Sequence, residues 1–400
     1  MAIIALIVGP DPGHALPILG IGAQLRRRGH RVVVWTGTRH AGLAARHDIE
    51  WHELPLLAPQ PGDDDLGVRL HVRPMAMSRA LTPQVAAFEP ALVVVDTLTR
   101  AGALTAATLG IPAVEVVPHH LPDPDPDLPP IGLGRPLPRT PWRRFDDRQL
   151  VRCQLRSNAE GDRAAAAAAA ELGLAGWPAP ALRLLQTLPS LERPRRRWPA
   201  NTLIAGPLAL DPDLPPLAPP DGDAPLVVVT DSTATGLDRS LADVALLGLA
   251  GLDLRLVVTT TSLPPRRDHR TVVGVGPHGP LLAEASVAVS PAGGGFLVKA
   301  AAAGVPQVVV PLAGDQREAA ARLRDVGAGR VLRPARCTPR ALRWAVVRAL
   351  TDRRMPDAAA QLAREAEPLG ASWAADRCLE VLSDRDPGTA SGPAARRVAP

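Results

Sequence analysis

Tyrosine is absent from this 400-residue chain, and only three Phe and seven Trp supply aromatic rings. Lysine occurs once, at Lys299, so the basic residues are otherwise arginine. Basic residues outnumber acidic ones only 45 to 40, and they are scattered. Without a basic stripe interleaved with aromatics, nucleic-acid binding is excluded as a main function. Cys153, Cys337 and Cys378 are odd in number, far apart and free of CxxC or Cys/His spacing. That argues against a disulfide framework or a zinc site and fits a reducing, cytoplasmic compartment. No apolar run reaches the roughly 18 residues of a membrane span. The apolar start Met1–Val8 has no basic segment before it and reads as a first strand rather than a signal peptide. Asp123-Pro-Asp125-Pro-Asp127 has D-x-D spacing, but its prolines make it an extended spacer, so no metal site is expected.

Apolar residues make up 46% of the chain, enough for complete cores, and 400 residues exceed one typical core. Continuous Val/Ile-rich runs alternate with helical segments, the pattern of parallel sheets with crossover helices. Ala2–Val8, Arg31–Thr36 and Ala91–Val95 read as buried strands of a first α/β domain, residues 1–208. Asp211–Ala224, rich in Pro and Asp, lies in an interdomain linker placed at 209–224. A second domain is expected over 225–382, followed by a small, polar, disordered tail at 383–400.

The second domain holds the most informative stretch. A strand at Val287–Ser290 runs through Gly293, Gly294 and Gly295 into an alanine-rich helix ended by Gly304. A second strand, Gln307–Leu312, leads to Asp315-Gln316. Glycines at a strand–helix junction let backbone N–H groups approach an anion, and the helix terminus adds partial positive charge. Spacing alone also allows an ordinary tight turn. In the first domain, Gly9–His14 reads as a loop ahead of a helix from about Leu16 to Arg28. His14 then sits at the C-terminal edge of the sheet, where an imidazole can take a proton near neutral pH. Asp96, at the end of another strand, is open to two readings: a partner for His14, or an N-cap for the next helix. His119 and His120 open a long Pro-rich loop and are expected on the acceptor side.

Nearly the whole chain resembles the family-1 GT-B glycosyltransferases of the bacterial antibiotic type. Gly13, His14, Pro17, Arg28, Gly29 and His30 match the family's G-H-x-x-P and R-G-H segments. Gly206-Pro207-Leu208 matches the close of its first domain. Gly293, Gly295, Gly304, Val305, Pro306, Asp315 and Gln316 match its donor signature. Pro291 replaces the family's diphosphate-contacting histidine, Ala292 a glycine, and Phe296 a hydroxyl residue. Val275 stands where a tryptophan stacks on the base, and His278 where a glutamine stands beside it.

The resemblance implies an α/β GT-B fold, two Rossmann-like domains with parallel sheets facing across a cleft. It implies inverting, metal-independent sugar transfer from a nucleotide-diphosphate donor (UDP- or TDP-sugar) to a hydroxyl of a small lipophilic acceptor, without a separate cofactor. It implies His14 as base and Asp96 as its partner. Ser232, Thr233, His278 and Gly293–Gly295 fall on the donor, and Asp315 and Gln316 on its sugar. No transmembrane segment is expected, and peripheral membrane contact stays open. The altered donor positions leave a second reading, a glycosyltransferase-like binding protein that no longer turns over.

Overall fold

The computed structural model describes residues 1–58, 73–212, 214–231, 240–312 and 314–383. The expected tail and the hydroxyl residues Ser232 and Thr233 fall outside them, as do residues 68–72 of a segment, Val68 to Met77, that the sequence suggests as a further acceptor-side loop. Two α/β lobes are built on two seven-stranded sheets.

The first sheet contains β1 (Ile3–Ile7), β2 (Arg31–Thr36), β3 (Glu50–Glu53), β4 (Leu92–Asp96), β5 (Ala113–Val117), β6 (Leu182–Leu185) and β7 (Thr202–Ile204). Their order is 3-2-1-4-5-6-7, and all pairs are parallel. The second contains β8 (Leu226–Thr230), β9 (Arg255–Thr259), β10 (Arg266–Arg267), β11 (Thr271–Gly274), β12 (Val287–Ser290), β13 (Gln307–Val309) and β14 (Gly329–Val331). Its order is 10-11-9-8-12-13-14, parallel except for the short edge strand β10. Central strands such as β4 and β8 are buried at every position because helices cover both faces.

Strand order decides where sites can form. Ligands in open α/β sheets bind where the order reverses, beyond the carboxyl ends of the strands. In the first sheet that point lies between β1 and β4; His14 lies in the first turn of the helix that follows β1, and Asp96 is the last residue of β4. In the second it lies between β8 and β12, and the loop after β12 is the glycine bend.

Several helices differ from the sequence expectation. Helix α1 spans Pro12–Arg27, so His14 lies in its first turn and not in a loop. Asp11 caps it by accepting the Gly13 N–H at 2.7 Å, and Pro12 follows the cap, a favourable start for a helix. Arg73–Ala86 forms a helix in spite of Pro83, with Met75, Met77, Leu81 and Val85 buried. The long helix Pro141–Ala170 starts earlier than its alanine run suggests, because Thr140 caps the Arg143 N–H. The last helix, Ala371–Ser383, crosses back to the first lobe, where Ala374, Ala375 and Cys378 join the core around α1.

The lobes meet along a dry seam. Leu188 and Leu191 of the first lobe pack with Ala292, Leu297, Val298 and Leu323 of the second. Beside them lies a buried ion cluster. Arg322, on helix α9 (Gln316–Asp325 in chain order), meets Glu192 of the first lobe at 2.6 Å and Glu318 at 3.1 Å. Arg193 approaches Glu318 at 3.3 Å. Burial pushes the Glu192 carboxyl up in spite of the Arg322 guanidinium. Such a cluster is weak evidence for net stabilisation, but losing one partner strands a buried charge. Arg322→Met is therefore expected to lower the unfolding free energy by roughly 3–5 kcal/mol in denaturant titrations. A loss under about 1 kcal/mol, the worth of an exposed pair, would show that the seam does not depend on it.

Candidate active site

His14 and Asp96 are brought together across the first switch point. The His14 Nδ1 lies 2.6 Å from Asp96 Oδ1. The other carboxylate oxygen accepts the Leu98 and Thr99 N–H groups at 3.1 and 3.0 Å and the Thr99 hydroxyl at 3.0 Å. Asp96 thus caps the turn after β4 and holds the histidine at once. It is not the N-cap of the next helix, Ala101–Thr108, where Arg100 stands without a side-chain cap bond. Thr99 also accepts the Gly9 N–H at 2.7 Å, which ties the loops after β1 and β4 to each other.

An ionised carboxylate only accepts hydrogen bonds, so a neutral His14 carries its proton on Nδ1 and keeps a lone pair on Nε2. Burial disfavours the charged ring, but the Asp96 hydrogen bond and the charges of Asp96, Asp11 and Asp315 outweigh it, and the pKa lies above 6.5. A raised histidine pKa contributes stability fully below about pH 6.5 and loses it as pH rises through the folded-state value. The influence of Asp315 is itself informative, because that residue belongs to the other lobe.

His14 borders two cavities. One, of about 330 Å³, lies in the first lobe and is lined by Leu54, Leu57, Pro74, Met77 and Leu98, with Asp96 at its wall. The other is an interlobe cleft of about 480 Å³, lined by His14, Asp211, His278, the glycine bend, Lys299, Asp315 and Gln316. Both fall in the size range of small-molecule sites.

The glycine bend leads into helix α8 (Gly294–Ala302) with Gly293 at the cap position. The first N–H groups of a helix lack intrahelical partners and point out of its end. Apart from the adjoining residues, no heavy atom lies within 4 Å of the point where a Cβ on Gly293 would sit, so the space over the bend is open. Phe296 does not fill it: the ring meets His278 edge-on at 4.9 Å. Gly294 is constrained from the other side, since a Cβ there would lie 2.5 Å from the Pro118 carbonyl oxygen of the first lobe. Ala292 adopts a left-handed backbone at φ 65°, a cost of about 1–2 kcal/mol for an L-residue. Its methyl is fully buried in the seam, which offsets about 0.8 kcal/mol of that.

The remaining expected donor residues are placed as follows. His278 lines the cleft with Nε2 3.0 Å from the Thr259 hydroxyl. Burial and Lys299 lower its pKa to about 4, so the ring is neutral. Asp315 occupies the cap position of α9 without a side-chain cap bond. Gln316 Oε1 accepts the Leu312 N–H at 2.8 Å, which fixes that side chain at the cleft edge. His119, expected on the acceptor side with His120, lines the interlobe cleft that His14 also borders. Both His119 and His120 line a small void at the lobe seam with Gly294 and Arg322, and burial with the nearby arginines keeps His120 neutral. Two features escaped sequence reading. Asp11 borders both cavities, and Lys299 is paired with Asp211 at 2.5 Å. An Asp-Pro step ahead of an apolar helix, and the chain's lone lysine, were the available signals.

Residues 245–376 match the family model described as erythromycin biosynthesis protein CIII-like, C-terminal domain. The chain is 30% identical to 4'-demethylrebeccamycin synthase of Lentzea aerocolonigenes, over 89% of this chain and 93% of that one. The chain belongs to the GT-B antibiotic glycosyltransferases. Solved structures agree on the fold. The kitacinnamycin glycosyltransferase superposes with a TM-score of 0.73 at 22% identity, over 95% of this chain and 98% of that one. The spinosyn rhamnosyltransferase complexed with thymidine diphosphate superposes at 0.68 with 19% identity, over 95% and 100%. In this GT-B glycosyltransferase His14 of one lobe and the glycine bend of the other line the same cleft, and Gly294 packs against Pro118, which follows β5. Among the described residues, no helix is long and apolar enough to cross a membrane.

Gly294→Ala should force the lobes apart and cost about 1–3 kcal/mol, as overpacked contacts do. Gly293→Ala, over open space at φ −62°, should change stability by less than about 0.5 kcal/mol. Paired thermal melts check the contrast, and equal losses would refute the close-approach assignment.

Proposed function

We propose that this glycosyltransferase moves a sugar from a nucleotide diphosphate to a hydroxyl of a small, lipophilic acceptor, with inversion and without a metal. The position of His14 carries the reading: one imidazole borders both an apolar pocket and the cleft that holds the glycine bend. The acceptor lies in the pocket of Leu54, Leu57, Pro74, Met77 and Leu98. The donor lies in the cleft, and the related rhamnosyltransferase bound to thymidine diphosphate supports a nucleotide diphosphate there.

In this mechanism the neutral Nε2 of His14 takes the acceptor hydroxyl proton. The acceptor oxygen forms a bond to the anomeric carbon as the bond from that carbon to the phosphate oxygen breaks. The diphosphate leaves with the electron pair. Attack opposite the leaving group inverts the anomeric centre. Asp96 orients the ring and stabilises the imidazolium that forms. The N–H groups at Gly293–Gly295 and the positive end of α8 meet the charge developing on the leaving group, the part a metal plays elsewhere. Asp315 and Gln316 are positioned to accept and donate hydrogen bonds to sugar hydroxyls. Ser232 and Thr233 are assigned to the phosphates from the family resemblance alone.

His14→Ala should lower kcat by about 10²- to 10⁴-fold while leaving nucleotide-diphosphate affinity nearly unchanged. Transfer to a panel of apolar hydroxyl compounds, with donor hydrolysis as the control, reads this out. The wild-type rate should rise with pH and level off above pH 6.5, because only the deprotonated ring accepts a proton and its pKa is raised. Asp96→Asn should move that limb to lower pH and reduce kcat. Full activity in His14→Ala would sink the base assignment.

A further inference from the structure

The interlobe cleft has an unusual charge balance for a site that receives a diphosphate. Asp11, Asp211, Asp231 and Asp315 all line it. No arginine does among the described residues, although the chain is rich in arginine. The cleft histidine His278 is held neutral, with a pKa of about 4. The one permanent cation on the described lining is Lys299, the only lysine in the sequence. It lies on α8, four residues after Gly295 and therefore on the same helix face. Gly295 places no side chain between Lys299 and the bend. Helical side chains lean toward the helix N-terminus. The first turn of α8 is about 6 Å up the axis from Lys299, within reach of its four-methylene stem.

The ammonium is held in this structure by Asp211, at 2.5 Å. Asp211 lies in the connection between the lobes and also accepts the Gly279 N–H at 3.0 Å and the His278 N–H at 3.4 Å. Its carboxylate therefore keeps two backbone donors if the ammonium leaves. Pro291 offers no N–H to a phosphate, so the bend is one donor short of what its backbone could present.

We propose that Lys299 is the cationic ligand of the donor diphosphate, with Asp211 as the counter-ion that holds it when the cleft is empty. This rests on the donor reading above and adds the residue that discriminates diphosphate from nucleoside. The ammonium exchanges one anionic partner for another, so no buried charge is left alone at either stage. Asp211 competes with the ligand for Lys299, and its removal strengthens diphosphate binding. The compact ammonium suits this exchange better than arginine, because it acts as a point charge on a flexible stem and needs no fixed fork geometry.

Calorimetric titration of the full-length protein tests the assignment, with UDP and TDP against uridine and thymidine. Lys299→Met should weaken diphosphate binding about 10- to 100-fold, the worth of a charge-assisted hydrogen bond. Nucleoside binding should change less than about twofold. Lys299→Arg should recover most of the diphosphate affinity. Asp211→Asn should tighten diphosphate binding by about threefold or more and leave nucleosides unaffected. Equal diphosphate affinity in wild type and Lys299→Met overturns the inference and leaves the donor reading standing. Parallel loss of nucleoside and diphosphate means the lysine only supports the site's shape, which also overturns it. Weaker diphosphate binding in Asp211→Asn overturns the counter-ion role. If the wild-type protein binds neither diphosphate, the donor reading and the inference fall together.

Discussion

The lobe seam sets how the two halves of the candidate site stand to each other. Gly294 of one lobe lies against the Pro118 carbonyl of the other, with no room for a side chain between them. Leu188 and Leu191 bury themselves among Ala292, Leu297 and Val298, so the contact excludes water. The Arg322–Glu192 pair then crosses a dry region, where one arrangement satisfies the charges and sliding would strand them. The same helix that carries Arg322 begins with Gln316, with Asp315 at its cap position. Fixing that helix against the first lobe therefore also fixes the cleft edge facing His14. His14 and Asp315 accordingly line one cleft from opposite lobes.

Much of the fold was legible because its causes are local. Val/Ile runs such as Val227–Val229 can only be strands buried on both faces, and Gly29, Gly110 and Gly304 sit at positive φ after helices, where side chains are strained. Boundaries were less legible where a cap overrides composition. Asp11 and Thr140 start helices earlier than the apolar pattern does, and Pro83 is tolerated inside one. Of the site, His14 and Asp96 were legible because motif and strand end coincide. What the sequence could not reveal are pairings between distant segments. Lys299 with Asp211, and Arg322 with Glu192, are separated by 88 and 130 residues and share no local pattern. The place of His119 and His120 at the seam void was not legible for the same reason, because it depends on Gly294 and Arg322 from the other lobe.

The altered positions of the glycine stretch serve packing at the seam and beside it. A donor loop that is mostly glycine is free to approach an anion but contributes little to packing. Ala292 and Phe296 reverse that balance. The alanine accepts a left-handed backbone and spends its methyl on the seam, while Phe296 packs against Leu281 and Leu282 and presents its edge region to His278. Neither side chain occupies the space over Gly293, where an added Cβ would meet nothing beyond the adjoining residues. The chain has moved stabilising contacts into the loop's flanks and kept the approach to its helix terminus clear. Gly293 at the cap position costs only about a few tenths of a kcal/mol relative to Ser or Asp, so the terminus stays open at little expense to the helix. The N-terminus of α8 and the His14 imidazole, whose proton is steered onto Nδ1 by Asp96, line the same cleft from opposite lobes.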